Sequence, residues 1–335
     1  MSTKDLDAAG ITDPALRVAY ERCRELHSGH GKTYYLATLL LPRAKRPHVW
    51  ALYGFARYAD EFVDSLVDPD PLALVRWGDE FLDRLEPDPT RPAGVDPRTD
   101  AVGAAMEHTM RRWGIPRAHV EAFLESMRMD ITETGYPTYA DLERYMYGSA
   151  AVIGLQMLPV LEPTTPEAAP RARALGEAFQ MSNFIRDVGE DLKRGRVYLP
   201  QEDMALFGVS TADLAAGQVT LPVRRLLQFE IERTRALYAY AEPGIDMLDP
   251  TSRDCMRTAF ELYGGILGAV ERADYQVLTQ RVSVSMPRRL SVAGPGLVRA
   301  FRARSRAGRS QDATEAPAAV EATDEVRTPG PGRGA

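Results

Sequence analysis

The sequence predicts an all-α fold, and three observations carry the prediction. From residue 14 to residue 284, long segments with apolar side chains three and four positions apart alternate with short turns rich in Pro, Gly and Asp. Strand-like alternation of apolar and polar residues is nearly absent. Proline-rich breaks at residues 86–97 and 162–170 fall between helical patterns, and each is short enough to be a surface loop within one domain.

In chain order, residues 1–12 are expected to be a flexible N-terminus; they lack a basic stretch followed by an apolar core, so no secretory signal is read there. Pro47 is a good first-turn residue, and PHVWALYGFARYADEFVDS runs on without another proline, which predicts a helix. The nearly apolar run at residues 150–161 contains Gly154, Gln156 and Pro159 and is too short to span a bilayer. A further helix covers GEAFQMSNFIRDVGEDLK, with Gly195 as its stop and Arg186 paired to Glu190 at i and i+4. Residues 286–309 form a basic extension in which Arg288, Arg289, Arg299 and Arg302 accompany Leu290, Val292 and Phe301. Such a segment either lies on an anionic membrane surface or is a solvated helix. Residues 310–335 lack aromatic side chains and are expected to be disordered.

Composition bounds the function. A chain of 335 residues with 44% hydrophobic content can bury a large core. A net charge of −6 argues against a protein built to bind nucleic acid, so any anion it binds needs local positive charge. Cys23 and Cys255 have no metal-ligand or disulfide spacing and fit a reducing cytoplasm.

Two acidic stripes point to chemistry. On the helix starting at Pro47, Tyr53, Arg57, Asp60 or Glu61, and Asp64 share one face, while Val49, Leu52, Ala56, Ala59 and Val63 define another that packs inward. Carboxylates at i and i+4 repel unless a cation lies between them. Mg²⁺ suits an aspartate stripe because hard cations take oxygen ligands, often carboxylates together with substrate phosphate. One such stripe is usually a solvated face. A second, however, follows later in the chain as Gln180, Asn183, Asp187 and Asp191, again on one helical face. Arg194 and Arg196 come next, and planar guanidinium groups can grip diphosphate oxygens bidentately. Two carboxylate stripes facing a shared cavity would cluster metal ions between helices.

With these motifs in hand, the chain resembles the head-to-head prenyl synthases, the family that includes phytoene, squalene and dehydrosqualene synthases. The resemblance runs from about His30 to Val282 and is most specific in NFIRDVGEDLKRGRVYLP. It is supported by HGKTYYLATLLLP, ALYGFARYADEFVD, RYMYGSAAVIGLQM and ELYGGILGAVERADYQVLTQRV. It implies a single all-α isoprenoid synthase bundle around a central cavity, spanning residues 13–285. Asp60 and Asp64 match the family's first aspartate motif, and Asn183, Asp187 and Asp191 its second, as holders of Mg²⁺, with Mn²⁺ a substitute. Arg57, Tyr145, Gln180 and Tyr263 match positions used around the diphosphates or the reacting centre, and Tyr34 occupies a similar place in the early helix. Two departures stand out: Glu61 replaces the usual aspartate, keeping the charge as an auxiliary metal ligand, and Gly31 replaces a serine hydroxyl.

The resemblance implies a prenyltransferase that ionises an allylic diphosphate. Cations neutralise the leaving group while a dry apolar cavity shields the carbocation. The wording ALYGFAR and GSAAVIGLQM is most like bacterial members that join two geranylgeranyl diphosphates through a cyclopropyl diphosphate into phytoene, which uses no NADPH. Sister enzymes make squalene or dehydrosqualene from farnesyl diphosphate. A different class of reading is a catalytically silent helical assembly or membrane-binding protein, against which both intact aspartate motifs argue. Gly148, Ser149, Ala150, Ala151 and Gly154 either leave room for a polyene or serve close helix packing. An apolar product implies peripheral membrane contact and hand-over to downstream carotenoid enzymes from an otherwise cytoplasmic protein.

Overall fold

Aspartate followed by proline starts several helices of this chain. Asp13 accepts from the Leu16 N–H at 2.7 Å ahead of Pro14, and Asp70 accepts from Ala73 N–H at 2.9 Å ahead of Pro71. Both carboxylates satisfy orphan donors, and the prolines supply a preset φ. Thr138 and Asp141 form a reciprocal capping box, as do Ser210 and Asp213.

The computed structural model describes residues 2–64, 70–86 and 94–282. In order the helices are α1 (Ser2–Ala8), α2 (Pro14–His30), α3 (Lys32–Thr38), α4 (Arg46–Asp64), α5 (Pro71–Leu85), α6 (Ala101–Trp113) and α7 (Arg117–Thr132). They continue as α8 (Tyr139–Met146), α9 (Val152–Leu161), α10 (Ala168–Lys193), α11 (Gln201–Leu206), α12 (Thr211–Ala215), α13 (Leu221–Ala241) and α14 (Pro250–Arg272). A π-helical segment, Tyr147–Ala151, joins α8 to α9. Among the described residues, β pairing is limited to the isolated bridges Gly135–Val197 and Pro163–Leu248, as an all-α fold requires. No described helix is long and apolar enough to cross a membrane. The basic extension and the C-terminal tail lie outside the described residues.

Two large apolar clusters, with a smaller one around Tyr145, Phe184 and Tyr198, hold the bundle. One is centred on α2, α4, α6 and α7, where Phe55 meets Trp77 and Phe81, each at 4.8 Å, and Trp50 is fully buried. Burying side chains of this size contributes roughly 1.5–3 kcal/mol each. The other joins α10, α13 and α14 through Ile185, Leu227, Ile231 and Leu267. Helix α10 packs against α9, α13, α14 and the π segment, and so forms the common wall between the two halves.

The first twelve residues correct the expected flexible N-terminus. Leu6 and Ile11 are buried, Arg46 bonds Asp5 at 3.4 Å, and Arg17 bonds Asp7 at 2.8 Å. Two apolar anchors and two ion pairs hold what reads as a polar leader.

The small residues after Tyr147 pack helices closely and also border a cavity. A Cβ at Gly148 would collide with the Ala122 carbonyl of α7, and one at Gly154 with the Ala172 carbonyl of α10, so both glycines allow close helix approach. Ser149, Ala150 and Gly154 also line the cavity.

Candidate active site

A cavity of about 290 Å³ lies between the halves, walled almost entirely by apolar side chains such as Leu52, Ile153, Met157, Leu175 and Phe179. Toward the ends of α4 and α10 that bear the carboxylates, polar groups appear on its wall: Tyr34 of α3, Tyr53 of α4, and Gln180 and Asn183 of α10. Asn183 Nδ2 donates weakly to Gln180 Oε1 at 3.5 Å.

The first stripe is neutralised from within. Arg57 Nη1 donates to Asp60 at 2.8 Å, and its Nε lies 3.5 Å from Glu61, which also faces His30 Nε2 at 3.7 Å. The backbone of Asp64 closes α4; its side chain lies outside the described residues.

The second stripe differs from expectation in one pairing. Arg186 bonds its neighbour Asp187 with two nitrogens, Nε at 2.7 Å, rather than reaching Glu190. Its guanidinium is turned inward, where Tyr263 and Tyr34 lie within electrostatic reach, and a buried cation takes the nearest carboxylate. Glu190 is instead 3.5 Å from Arg281, whose Nε also lies 3.1 Å from Asp187. Arg281 comes from the segment after α14, which crosses α10 so closely that Gly189 N–H donates to Val277 O at 3.2 Å.

Aromatic rings connect the two stripes. Tyr34 stacks on Tyr263 at 4.3 Å and lies 6.3 Å from Tyr53, while Phe179 closes on Tyr263 at 4.7 Å. The charges of Arg57 and Asp60 act on Tyr53, and those of Arg186, Asp187 and Arg281 act on Tyr263. Asp60 from one stripe and Asp187 from the other therefore lie near one cluster of aromatic rings. Burial pushes the hydroxyls of Tyr34, Tyr53 and Tyr263 up, so all three are neutral donors at neutral pH.

Of the predicted residues, Tyr34, Gln180 and Asn183 are on the cavity wall; Arg57, Tyr263 and the described carboxylates lie off it, and Tyr145, Arg194 and Arg196 are tied elsewhere. Tyr145 is buried beside α10, and its hydroxyl donates to Asp130 at 2.8 Å; Tyr198 donates to the same carboxylate at 2.9 Å. Arg196 Nη2 donates to the Asp130 carbonyl at 3.0 Å, and Arg194 lies 3.6 Å from Asp191 past the end of α10. The hub residue Asp130 carries no motif in the sequence, and neither Arg281 nor His27, which lines the cavity from α2, was singled out there.

The donor set suits a hard cation, being carboxylate and amide oxygen on two helices at the mouth of an apolar cavity. Among the described residues no three acidic, histidine or cysteine side chains gather as a metal-holding set, and Arg57, Arg186 and Arg281 pair with the carboxylates.

A family model described as squalene/phytoene synthase matches residues 27–288. The 15-cis-phytoene synthase of Synechococcus elongatus is 36% identical over 300 residues, covering 85% of this chain and 94% of the relative. The phytoene synthase of Arthrospira platensis is 36% identical over 287 residues, covering 81% and 90%. Among solved structures, a dehydrosqualene synthase in complex with a ligand superimposes with a TM-score of 0.75 at 28% identity, covering 88% of this chain and 98% of that one.

Proposed function

Since the chain belongs to the squalene/phytoene synthase family, we infer that it is a prenyltransferase that joins two geranylgeranyl diphosphates head to head into phytoene. The observation that carries this reading is the 36% identity to the phytoene synthases of Synechococcus elongatus and Arthrospira platensis across more than four-fifths of the chain. Aspartates from two helices beside the aromatic end of an apolar cavity support it chemically.

Asp60, Glu61 and Asp64 on α4, with Asn183, Asp187 and Asp191 on α10, would hold Mg²⁺, for which Mn²⁺ can substitute. Bound there, the metal supplies positive charge that stabilises the leaving diphosphate. Arg57 and Arg186, freed from their carboxylates, are placed to take diphosphate oxygens, with Arg194 and Arg196 beyond the end of α10 as further donors. Tyr34 would present its neutral hydroxyl and ring face to the reacting carbons, with Tyr263 stacked against it. Gln180 and Asn183 orient the diphosphate end against the apolar wall. Tyr145, fixed by Asp130, backs α10 from the far side. Leu52, Ile153 and Met157 exclude water from the allyl cation. The reaction passes through a cyclopropyl diphosphate, and a proton leaves at its end, so no NADPH is consumed. The apolar product would leave toward a membrane surface and downstream carotenoid enzymes.

The test is incubation of the purified protein with Mg²⁺ and either geranylgeranyl or farnesyl diphosphate, with and without NADPH, followed by chromatography of the hydrocarbons. A C40 product with a central triene, formed without NADPH, is expected. A C30 product alone would replace this reading with a squalene or dehydrosqualene synthase.

A further inference from the structure

The cavity has a depth that can be measured along α10. From Asn183 at the polar end, lining residues descend through Phe179, Leu175 and Ala172 to Ala168, fifteen residues and about 22 Å of helix. Helix α14 runs beside α10 in the same direction. The loops that precede the two helices are joined by Thr164 N–H to Met247 O at 2.8 Å, and at the other end Gly189 N–H meets Val277 O at 3.2 Å. Tyr263 of α14 lies 4.7 Å from Phe179, and Met256 precedes Tyr263 by seven residues, as Ala172 precedes Phe179. Met256 and Ala172 therefore line the cavity at one depth.

Below that depth the cavity closes. Leu161, Ala168, Ile245 and Leu248 border it there, each at most 4% exposed. Behind them Asp249 N–H donates to Glu162 O at 2.8 Å, which ties the loops that carry this floor. Arg171 lends its stem to the wall and turns its guanidinium out over the Tyr240 ring, 3.9 Å from the centroid, so no charge faces the floor. With carbon–carbon bonds of about 1.5 Å, an extended geranylgeranyl chain is about 20 Å long and a farnesyl chain about 15 Å. For a diphosphate held at Gln180 and Asn183, a farnesyl chain ends above Ala172, which lies about 16 Å down the helix. The fourth isoprene unit of a geranylgeranyl chain occupies the space between Ala172 and the floor.

The small residues of the wall are not equivalent. A Cβ at Gly154 or at Gly176 would collide with the carbonyl of Ala172 or of Ala150, so both glycines are fixed by helix packing. Ala172, by contrast, lines the cavity and is only half-buried, so a larger side chain there extends into open space. We propose that Ala172 sets the chain length of the prenyl tail that lies along α10, its methyl group admitting the fourth isoprene unit of a C20 diphosphate. Phenylalanine at this position fills that depth and leaves a cavity that ends where a farnesyl chain ends. The inference rests on the phytoene reading above.

Wild type, Ala172→Leu and Ala172→Phe are each given an equimolar mixture of geranylgeranyl and farnesyl diphosphates with Mg²⁺. Products of each length, cyclopropyl diphosphates included, are quantified by chromatography, and thermal unfolding reports folding. Wild type is expected to make chiefly C40 products. Ala172→Phe should lower the ratio of C40 to C30 products on the order of 100-fold, the discrimination that one buried isoprene unit supplies, with C30 products maintained. Ala172→Leu should fall between. An unchanged ratio in either folded variant, or an equal loss of both lengths, overturns the gauge and leaves the phytoene reading standing. Where the phenylalanine variant does not fold, the ratio in the leucine variant decides. A wild type that makes C30 products alone overturns the parent reading and the role of Ala172 with it.

Discussion

Gly189 lies in the middle of α10, within the NFIRDVGEDL motif, where a helix would ordinarily prefer alanine. A Cβ at this position would overlap the Leu278 carbonyl, with its carbon at 2.6 Å and Val277 O at 2.8 Å. Both neighbours are backbone of the segment that crosses α10, so the clash cannot be relieved by a rotamer change. Gly189→Ala therefore has to lift residues 277 and 278, breaking the Gly189 N–H to Val277 O bond and drawing Arg281 off Asp187. Overpacking of this kind costs about 1–3 kcal/mol, the lost hydrogen bond adds about 1 kcal/mol, and the gain in helix propensity returns about 1 kcal/mol. The net loss is about 2 kcal/mol. Gly264 of α14 is the control, because a Cβ there would meet Tyr238 at 3.7 Å, an ordinary contact. Gly264→Ala should gain roughly 0.5–1 kcal/mol through helix propensity and reduced unfolded-state entropy. Urea unfolding of the two variants against wild type measures both. Equal stabilisation by the two substitutions would refute the close crossing over α10.

Further consequences can be measured directly. Folded His27 and His48 accept protons only near pH 3, whereas the unfolded chain protonates them below pH 6.5, so stability is full above that value and falls as the pH drops beneath it. The two rings together contribute a slope approaching about 2.7 kcal/mol per pH unit in acid unfolding curves, and His27→Phe should remove half of it. That variant should also be about 1–3 kcal/mol more stable near neutral pH, since an unsatisfied buried N–H is gone. Asp130→Leu leaves the buried hydroxyls of Tyr145 and Tyr198 without their acceptor and should cost about 2–4 kcal/mol, read by thermal unfolding. Cys23 and Cys255 are buried and their thiols are pushed up by desolvation, so a thiol reagent should label the native protein far more slowly than the urea-unfolded chain.

Much of the helical framework was legible because its signals are local. Pro47 falls in the first turn of the helix it marks, Arg46–Asp64, and the i, i+4 spacing of the aspartates survives any packing of the bundle. What escaped depends on contacts distant in sequence or on rotamers. Helical periodicity places Asp187 on a face but cannot show that residue 281 arrives there, or that Arg186 turns inward to Asp187. Tyr145 could be placed on its helix, yet its hydroxyl is directed by Asp130 from α7. His27 reads as one of several histidines in HSGHGK and its surroundings; only the approach of α4, with Tyr53 across its face, reveals a ring with unpartnered nitrogens. The N-terminus misled because its anchors, Leu6 and Ile11, are spaced too sparsely to show a period.

The central claim is that the carboxylates of α4 and α10 act together on the diphosphate and do not hold up the fold. Turnover of geranylgeranyl diphosphate by Asp60→Asn and by Asp187→Asn, each with its melting temperature, tests it most directly. The account predicts a loss of at least about 100-fold in each, equivalent to roughly 3 kcal/mol of transition-state stabilisation, in variants that still unfold cooperatively, with Asp187→Asn melting below wild type because Arg186 and Arg281 lose a charged partner. Wild-type turnover in either folded variant would contradict it.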